Sequence, residues 1–383
     1  MEQLSTLWVV LLLLVVRVSG FNRLPLSSSQ ARSSSLFASS TTESSSGTQA
    51  LEKCLFREYT TFFAPMEKSF YSDNVEFIDP MTSFVGIDKY KNNVDMLAGR
   101  TPLGSILFKD ASIALHKIEK LDDGRIQTRW TLRVTVKLLP WQPTPRFSGV
   151  SIYTLDAAGK ICKQEDYWDS VNLESNKYTK KGVGDGIGDF LGQLQNEVNA
   201  DMAAPELPYE LLRRGKTYDV RRYPEMTVAQ TTYDKRPEGY DRLGSYAGGS
   251  NELSDKLDFF SPTLMRIKDS DGKRSKVMSW PLSFAAPGGS PRDPSTYPNP
   301  TIPKIILKTV PSKVVAVSRF ELAATEPIVR GFTGNLIRDV EADGMAVSKD
   351  AKEGECVVGQ YDALFSLNKR RVEAWVELDK HPW

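Results

Sequence analysis

Histidine is nearly missing from this chain: 383 residues hold only His116 and His381. So little imidazole excludes a histidine-built metal centre and leaves few groups that titrate near neutrality. Cysteine is almost as scarce. Cys54, Cys162 and Cys356 stand far apart with no C-x-x-C pair, which argues against a zinc site or a redox dithiol. Taken singly they read as buried or bystander thiols. An excess of charge of one sign is also lacking. The net charge of +1 gives no support to nucleic-acid binding, which usually needs a basic face, and leaves a local basic patch open. The ten-residue apolar run Leu7 to Val16 falls short of the ~20 residues that span a bilayer.

What is present begins with an address. "VSG" follows the apolar run and places Gly20 at a signal-peptidase-like position. The next stretch, "FNRLPLSSSQARSSSLFASSTT", is rich in Ser, and no acidic residue occurs between Glu2 and Glu43. Residues 1–20 read as a signal peptide and 21–50 as a transit-like segment. Together they resemble the bipartite presequence of algae with secondary plastids, which implies a plastid protein. A secreted protein with a Ser-rich linker is the alternative, and the lack of paired cysteines counts mildly against it.

Residues 52–175 read as a first domain. Leu55, Tyr59, Phe62 and Met66 recur at helical spacing, with Pro65 marking the end, and Tyr90, Val94 and Leu97 mark a second helix. "RIQTRWTLRVTVK" alternates. Ile126, Thr128, Trp130, Leu132, Val134 and Val136 face one way, while Gln127, Arg129, Arg133 and Lys137 form a wet face. A hairpin turns at Ala158-Gly159. Helices followed by long antiparallel strands predict an α+β cone, with helices on a curved sheet. Asp79, His116, Asp166 and Tyr167 are its acid–base candidates, and Trp130, Phe147 and Trp168 are candidates to line a pocket. His116 lies in an alternating strand, where a lone histidine is more often structural.

Residues 176–206 read as a Gly-rich joint and a short helix. Gly182, Gly184, Gly186 and Gly188 alternate in "KKGVGDGIGDFLGQLQNEV". No apolar strand precedes them and no G-K-[ST] follows, so they are not a phosphate cradle. Phe190, Leu191, Leu194 and Val198 form the apolar stripe of the helix.

Residues 207–383 contain an internal repeat. "YDVRRYPEMTVAQTTY" at 218–233 matches "IILKTVPSKVVAVSRF" at 305–320 with a constant offset of 87. Tyr218 matches Ile305, Val220 matches Leu307, Pro224 matches Pro311, Val228 matches Val315, Ala229 matches Ala316 and Tyr233 matches Phe320. Each half reads as strand, proline turn, strand, helix. Val329, Phe332, Leu336 and Val340 stripe the second helix, which Pro327 opens and Gly344 closes. The strand "KVMSWPLSFAAP" puts Met278, Trp280, Leu282 and Phe284 on one face, and "RVEAWVELD" puts Val372, Ala374, Val376 and Leu378 opposite Trp375. Two such halves predict a pseudo-two-fold barrel with two helices and a cleft on the axis, where small apolar ligands usually sit.

Two resemblances attach to these motifs. "FYSDNVEFIDPMTSFVGIDKY", "RWTLRVTVKLLPWQP" and "GKICKQEDYWD" resemble a plastid-associated domain of the nuclear-transport-factor-two-like superfold, which hosts enzymes and binding modules alike. "YDVRRYPEMTVAQTTY", "GYDRLGSYAGGSNELSDKLDFFSPTLM", "KVMSWPLSFAAP" and "YDALFSLNKRRVEAWVELD" resemble the SOUL haem-binding family over about 207–380. "RFELAATE" departs from that family's turn after Phe320. The family resemblance implies non-covalent, weak binding of haem or another tetrapyrrole, as a carrier or buffer and not as a catalyst. It also implies a site on the first helix and its exit, Arg242, Leu243, Tyr246, Lys256, Leu257 and Phe259. Arg330, Phe332 and Leu336 join them from the repeat-related helix.

Haem iron is usually held by His, Cys, Met or Tyr. In this half of the chain His381 lies near the end, where chains tend to be exposed, and Cys356, Met265 and Met278 read as core. A tetrapyrrole would therefore be held by its ring, through apolar side chains on its face and Arg or Lys on its propionates. An enzyme in the first domain and a ligand-free scaffold on a plastid membrane surface stay open as alternatives. Oligomeric state is not legible.

Overall fold

A computed structural model describes residues 43–195, 204–270, 273–361 and 370–383, without the side chains of 43–48, 270 and 273. The signal-peptide reading, most of the transit-like segment and Val198 lie outside the described residues. The chain divides into two compact units. One comprises Met1–Asn172 and Thr179–Asn196, the other Leu173–Tyr178 and Glu197–Trp383. The α+β, two-domain expectation holds.

In the first unit, α1 (Glu43–Thr60) buries Leu51, Leu55 and Tyr59. It stops at Thr60, short of the predicted Met66, because Phe62 and Phe63 take left-handed φ of 52° and 57°. Then come β1 (Tyr71–Ile78), β2 (Ser83–Val85), α2 (Ile87–Leu97) and α3 (Pro102–Leu107). Four long strands follow: β3 (Phe108–Lys120), β4 (Ile126–Val136), β5 (Arg146–Leu155) and β6 (Ile161–Trp168). The sheet runs β2-β1-β6-β5-β4-β3, antiparallel except where β1 meets β6. Ile126, Trp130, Val134 and Val136 of β4 enter the core as their alternation predicts.

Two expectations fail here. The wet face of β4 is not wet at Arg129, which is buried. The short helix α4 (Asp169–Asn172) sets Asp169 2.9 Å from its guanidinium, and Ser148 donates to the same carboxylate at 2.5 Å. The glycine comb is not a loose joint either. It winds into α5 (Val183–Gln193), whose Phe190 joins the core together with Leu194 just beyond. Gly186 lies so close to the chain that a Cβ there would stand 2.3 Å from the Pro80 carbonyl oxygen.

The second unit takes in a two-residue pair, β7 (Leu173–Glu174) and β8 (Lys177–Tyr178), and one large sheet. The sheet's strands are β9 (Glu210–Arg214), β10 (Asp219–Tyr223), β11 (Met226–Thr232), β12 (Thr263–Ser270), β13 (Lys273–Phe284), β14 (Ile305–Val310), β15 (Lys313–Phe320), β16 (Ala346–Val347), β17 (Cys356–Gln360) and β18 (Val372–Lys380). Helix α6 (Arg236–Ala247) follows β11, α7 (Glu326–Ala342) follows β15, and α8 (Lys349–Lys352) precedes β17. The order is β14-β11-β13-β12-β17-β18-β15-β10-β9, with β16 on β18. Exchanging β10 with β14, β11 with β15, β12 with β17 and β13 with β18 reverses this order onto itself, β9 and β16 aside. The repeat is thus a pseudo-dyad of the strand order, passing between the antiparallel neighbours β12 and β17.

The proline turns separate the strands of each half as the repeat predicts, but the strands they join do not pair with each other. β10 pairs with β15 of the other half, and β11 pairs with β14. Pro224-Glu225 and Pro311-Ser312 each join strands at opposite flanks of the sheet. A two-residue connection reaches about 10 Å at most, so the flanks must meet and the sheet must curl. Ser312 Oγ donates 2.8 Å to the Tyr223 carbonyl and ties the two crossings together. Matched residues share their environment. Ala229 and Ala316, with Tyr233 and Phe320, pack under the helices, while Val228 and Val315 pack on the other face. That second face is concave, because one cavity on it, about 80 Å³, draws lining from both flanks, including Met226, Val310, Val315 and Trp375. A bulge opposite Thr227 and Val228 sends Phe284 to this face, away from Met278, Trp280 and Leu282, correcting the single-face reading of β13.

Candidate functional site

Helix α6 begins with Pro237 in its first turn, where a missing N–H is harmless. The exit loop is ordered by Asn251, which is buried. Its Nδ2 donates to the carbonyls of Tyr246 and Asp255, and its Oδ1 accepts from the amides of Leu253 and Asp255. The Leu257 amide donates 2.8 Å to the Ala247 carbonyl and brings the segment back along the helix. Phe259 then stacks on Trp280 with ring centroids 4.2 Å apart, and Tyr240 meets the same indole edge-on at 6.3 Å. This aromatic step is half-buried at Leu257 and Phe259, and Leu253 earlier in the same loop is exposed.

The predicted residues divide. Leu257, Phe259 and Lys256 lie together at the exit, with Lys256 exposed. Arg242 is half-buried; its Nη1 donates 2.6 Å to the Thr232 carbonyl, and Glu238 lies 3.8 Å from Nη2. Leu243, Tyr246 and Leu336 are core residues, 0%, 0% and 2% exposed, and the Tyr246 hydroxyl donates to the Pro298 carbonyl. Helical spacing placed them on the buried stripe, which is where amphipathic helices put such residues first. Phe332 stacks on Phe320 at 4.3 Å. Arg330 is already engaged, donating to Glu326, Asp269 and the Gly354 carbonyl. Sequence reasoning missed Tyr240 and Asn251. Only the strand pattern pointed at Trp280, and it gave no hint of the stacking.

The residues suit a flat apolar ring with carboxylates better than they suit its metal. Trp280 Nε1 is buried and makes no hydrogen bond to any described residue, a donor of the kind a carboxylate takes. Met265, Met278 and Cys356 are 1%, 0% and 3% exposed. Burial also raises the Cys356 thiol pKa, so it stays protonated and a poor ligand. His381 is not the loose tail residue expected. It is half-buried with Trp383 5.9 Å away, and burial, with Arg222 nearby, lowers its pKa.

In the first unit His116 lies outside the core, its Nε2 2.7 Å from Thr131 Oγ1. Asp79 caps a turn, accepting from the amides of Met81 and Thr82 at 2.7 and 2.6 Å. Asp166, by contrast, lines a cavity of about 80 Å³ with Trp130, whereas Phe147 and Trp168 pack in the core with ring centroids 4.5 Å apart and planes tilted at 47°.

Comparison with known proteins gives two family matches. Residues 204–377 match the SOUL heme-binding protein family, and residues 49–164 match DUF2358, an uncharacterized conserved protein family. No curated protein matches the chain. Similar solved structures include an NTF2-like protein of unknown function from Exiguobacterium sp. 255-15, 23% identical, covering 30% of this chain and 98% of its own, with a TM-score of 0.25. The epoxide hydrolase/cyclase-like enzyme SalBIII is 13% identical, covering 33% and 92%, with a TM-score of 0.26. The EcmrR C-terminal domain is 12% identical, covering 45% and 99%, with a TM-score of 0.31. The chain is thus similar to the SOUL heme-binding protein family over 204–377 and to DUF2358 over 49–164.

Proposed function

We propose that this chain binds haem or another tetrapyrrole within a plastid, gripping the macrocycle by its face and carboxylates and leaving the iron without a protein ligand. A SOUL domain points to binding and not to catalysis. The observation that supports ring recognition is the aromatic step of Phe259 on Trp280, with Lys256 exposed beside it and Met265, Met278 and Cys356 locked in the core. Covering a few hundred Å² of ring at ~25 cal/mol per Å² gives several kcal/mol before ordering costs. That permits affinity of micromolar order or weaker, which suits a carrier that must release its ligand. When bound, haem would bring its own redox chemistry; these residues only hold and orient the ring.

Absorbance titration of the full chain with haem and with metal-free protoporphyrin tests this. Dissociation constants within a few-fold of each other are expected, unchanged by His381→Ala and weakened about tenfold for both by Phe259→Ala. Binding that requires iron, or that Phe259→Ala leaves intact, overturns it. The plastid address is tested by fusing residues 1–50 to a fluorescent reporter in an alga with a complex plastid. Secretion of the reporter would refute it.

A further inference from the structure

The first unit holds a cavity that the tetrapyrrole reading does not use. Its walls are apolar and largely aromatic: Phe62, Phe63, Val94 and Leu97 from the helical side, Phe77 from β1, and Ile113, Trp130 and Leu132 from β3 and β4. The volume, about 80 Å³, admits a small molecule and excludes a macrocycle. Phe62, Asn93, Leu97, Ile113 and Leu132 are half-buried and form its rim.

One end is polar and built with care. Ser151 Oγ accepts from Trp130 Nε1 at 2.8 Å and from Tyr59 Oη at 3.3 Å, and lies 3.4 Å from Gln164 Nε2. With its lone pairs taken, the Ser151 proton must go to another acceptor, and its hydrogen bond to Asp166 is that outlet. Gln164 Nε2 donates 2.8 Å to Asp166 Oδ1, and its own Oε1 accepts from Tyr90 at 2.5 Å. Asp166 is thus fixed by two side chains that are themselves fixed. A carboxyl group set among aromatic rings is an expense that an apolar residue would have avoided. The backbone beside it is strained. Phe62 and Phe63 are consecutive non-glycine residues with positive φ, held by Arg100 Nη2 donating 2.7 Å to the Phe62 carbonyl and by the Phe63 amide donating 2.5 Å to the Glu58 carbonyl. Such strain persists where surrounding structure imposes it, and it clusters at functional sites.

We propose that the first unit binds a small, neutral, mostly apolar molecule in this cavity, and that Asp166 anchors the molecule's carbonyl or hydroxyl oxygen by a hydrogen bond. The site is independent of the tetrapyrrole reading. Asp166 is the polar end of the pocket, and the rings supply the apolar remainder. The protonated acid is the form that donates to a carbonyl, and burial shifts its pKa up to about 7. The titratable groups facing it are Asp79 from the β1–β2 turn, Tyr59 from α1, Tyr90 from α2 and Tyr153 from β5, with Glu58 behind them on Tyr71. Burial raises the pKa of all three tyrosines, so they stay neutral through this range.

The test uses the full chain, with cyclohexanone as the oxygen-bearing probe and methylcyclohexane as its apolar match, read by ligand-observed NMR. At pH 5.5 the chain should bind cyclohexanone at least fivefold more tightly than size alone predicts from methylcyclohexane, and this preference should fade by pH 8.5. Asp166→Ala should abolish the preference and keep methylcyclohexane binding. Asp166→Asn, which keeps the shape and a permanent donor, should hold the preference at both pH values. Ile113→Trp, at the rim, should block both probes. No binding of either probe overturns the proposal. So does a preference that survives Asp166→Ala, or a wild-type preference that does not change with pH while Asp166→Asn behaves identically.

Discussion

Glu373 and Arg221 meet inside the second unit, one guanidinium nitrogen standing 3.1 and 3.2 Å from the two carboxylate oxygens. Glu373 is completely buried. Tyr361 Oη and Trp375 Nε1 also donate to it, at 2.8 and 3.0 Å, and Arg371 at 3.2 Å while holding Glu206. Burial pushes the Glu373 carboxyl pKa up, but the two guanidiniums and these hydrogen bonds outweigh it and hold it below the usual range. Replacing Glu373 by Leu leaves the buried Arg221 with Asp219 as its one remaining carboxylate among the described ion pairs and takes from the half-buried Arg371 one of its two. A loss of about 3–5 kcal/mol is expected, read as a lower urea midpoint. A pKa lowered in the folded state makes this contribution complete above the ordinary carboxylate range and lost as pH falls through the folded value, so the gap between parent and Glu373→Leu should narrow in acid.

This cluster shows where sequence reading stops. The alternation of β18 placed Val372, Ala374 and Val376 on one face and Trp375 on the other, and the structure agrees. The same pattern put Glu373 beside Trp375. Nothing local says that this face is concave and dry, because curling depends on strands paired across the dyad. The repeat itself was legible, since a fixed offset survives in sequence. The exchange of first strands between halves was not, since a two-residue proline connection reads like any hairpin turn. At the candidate site, Leu257 and Phe259 were legible as an apolar exit segment. Leu243, Tyr246 and Leu336 illustrate the limit: helical spacing identifies a buried stripe and cannot tell a core from a binding wall.

Two glycines should respond in opposite directions. A Cβ at Gly149 on β5 would stand 2.0 Å from the Tyr167 carbonyl oxygen and 3.2 Å from the Trp168 Cα. Backbone on the adjoining strand β6 cannot yield cheaply, so Gly149→Ala should cost about 1–3 kcal/mol or more. Gly188 lies within α5, exposed, with nothing within 4 Å of its added Cβ. There Gly188→Ala should stabilise by about 0.5–1 kcal/mol through helix propensity. Thermal melts of the two variants against the parent separate these outcomes, and a stabilised Gly149→Ala would contradict the β5–β6 packing.

Arg129 supports a third expectation. It is 11% exposed at the side chain, and its partner Asp169 is fully buried. Asp169→Ala would leave a guanidinium buried without its anion, at about 3–5 kcal/mol, whereas the exposed pair Lys68–Asp88, broken by Asp88→Ala, should change stability by under about 1 kcal/mol. Urea midpoints measured at low and high salt distinguish them further, because only the exposed pair is open to screening.

Asp166 makes the sharpest prediction about pH. Its folded pKa is raised to about 7 and that of Asp79 to about 6, each chiefly by burial. The folded state therefore holds these protons more tightly than the unfolded chain, whose aspartates titrate near 3.9. Between those values the folded state binds more protons, so stability falls as pH rises and the loss is complete only above the folded pKa. Asp166→Asn removes that liability while keeping the side chain's shape. The variant should melt at a higher temperature than the parent at pH 8, by several degrees, and the difference should shrink steadily toward pH 4.5. Calorimetric scans of both chains across that range test it. A difference that is constant with pH would mean that Asp166 is ionised in the folded protein throughout, and the cavity would then present a carboxylate and not a hydrogen-bond donor.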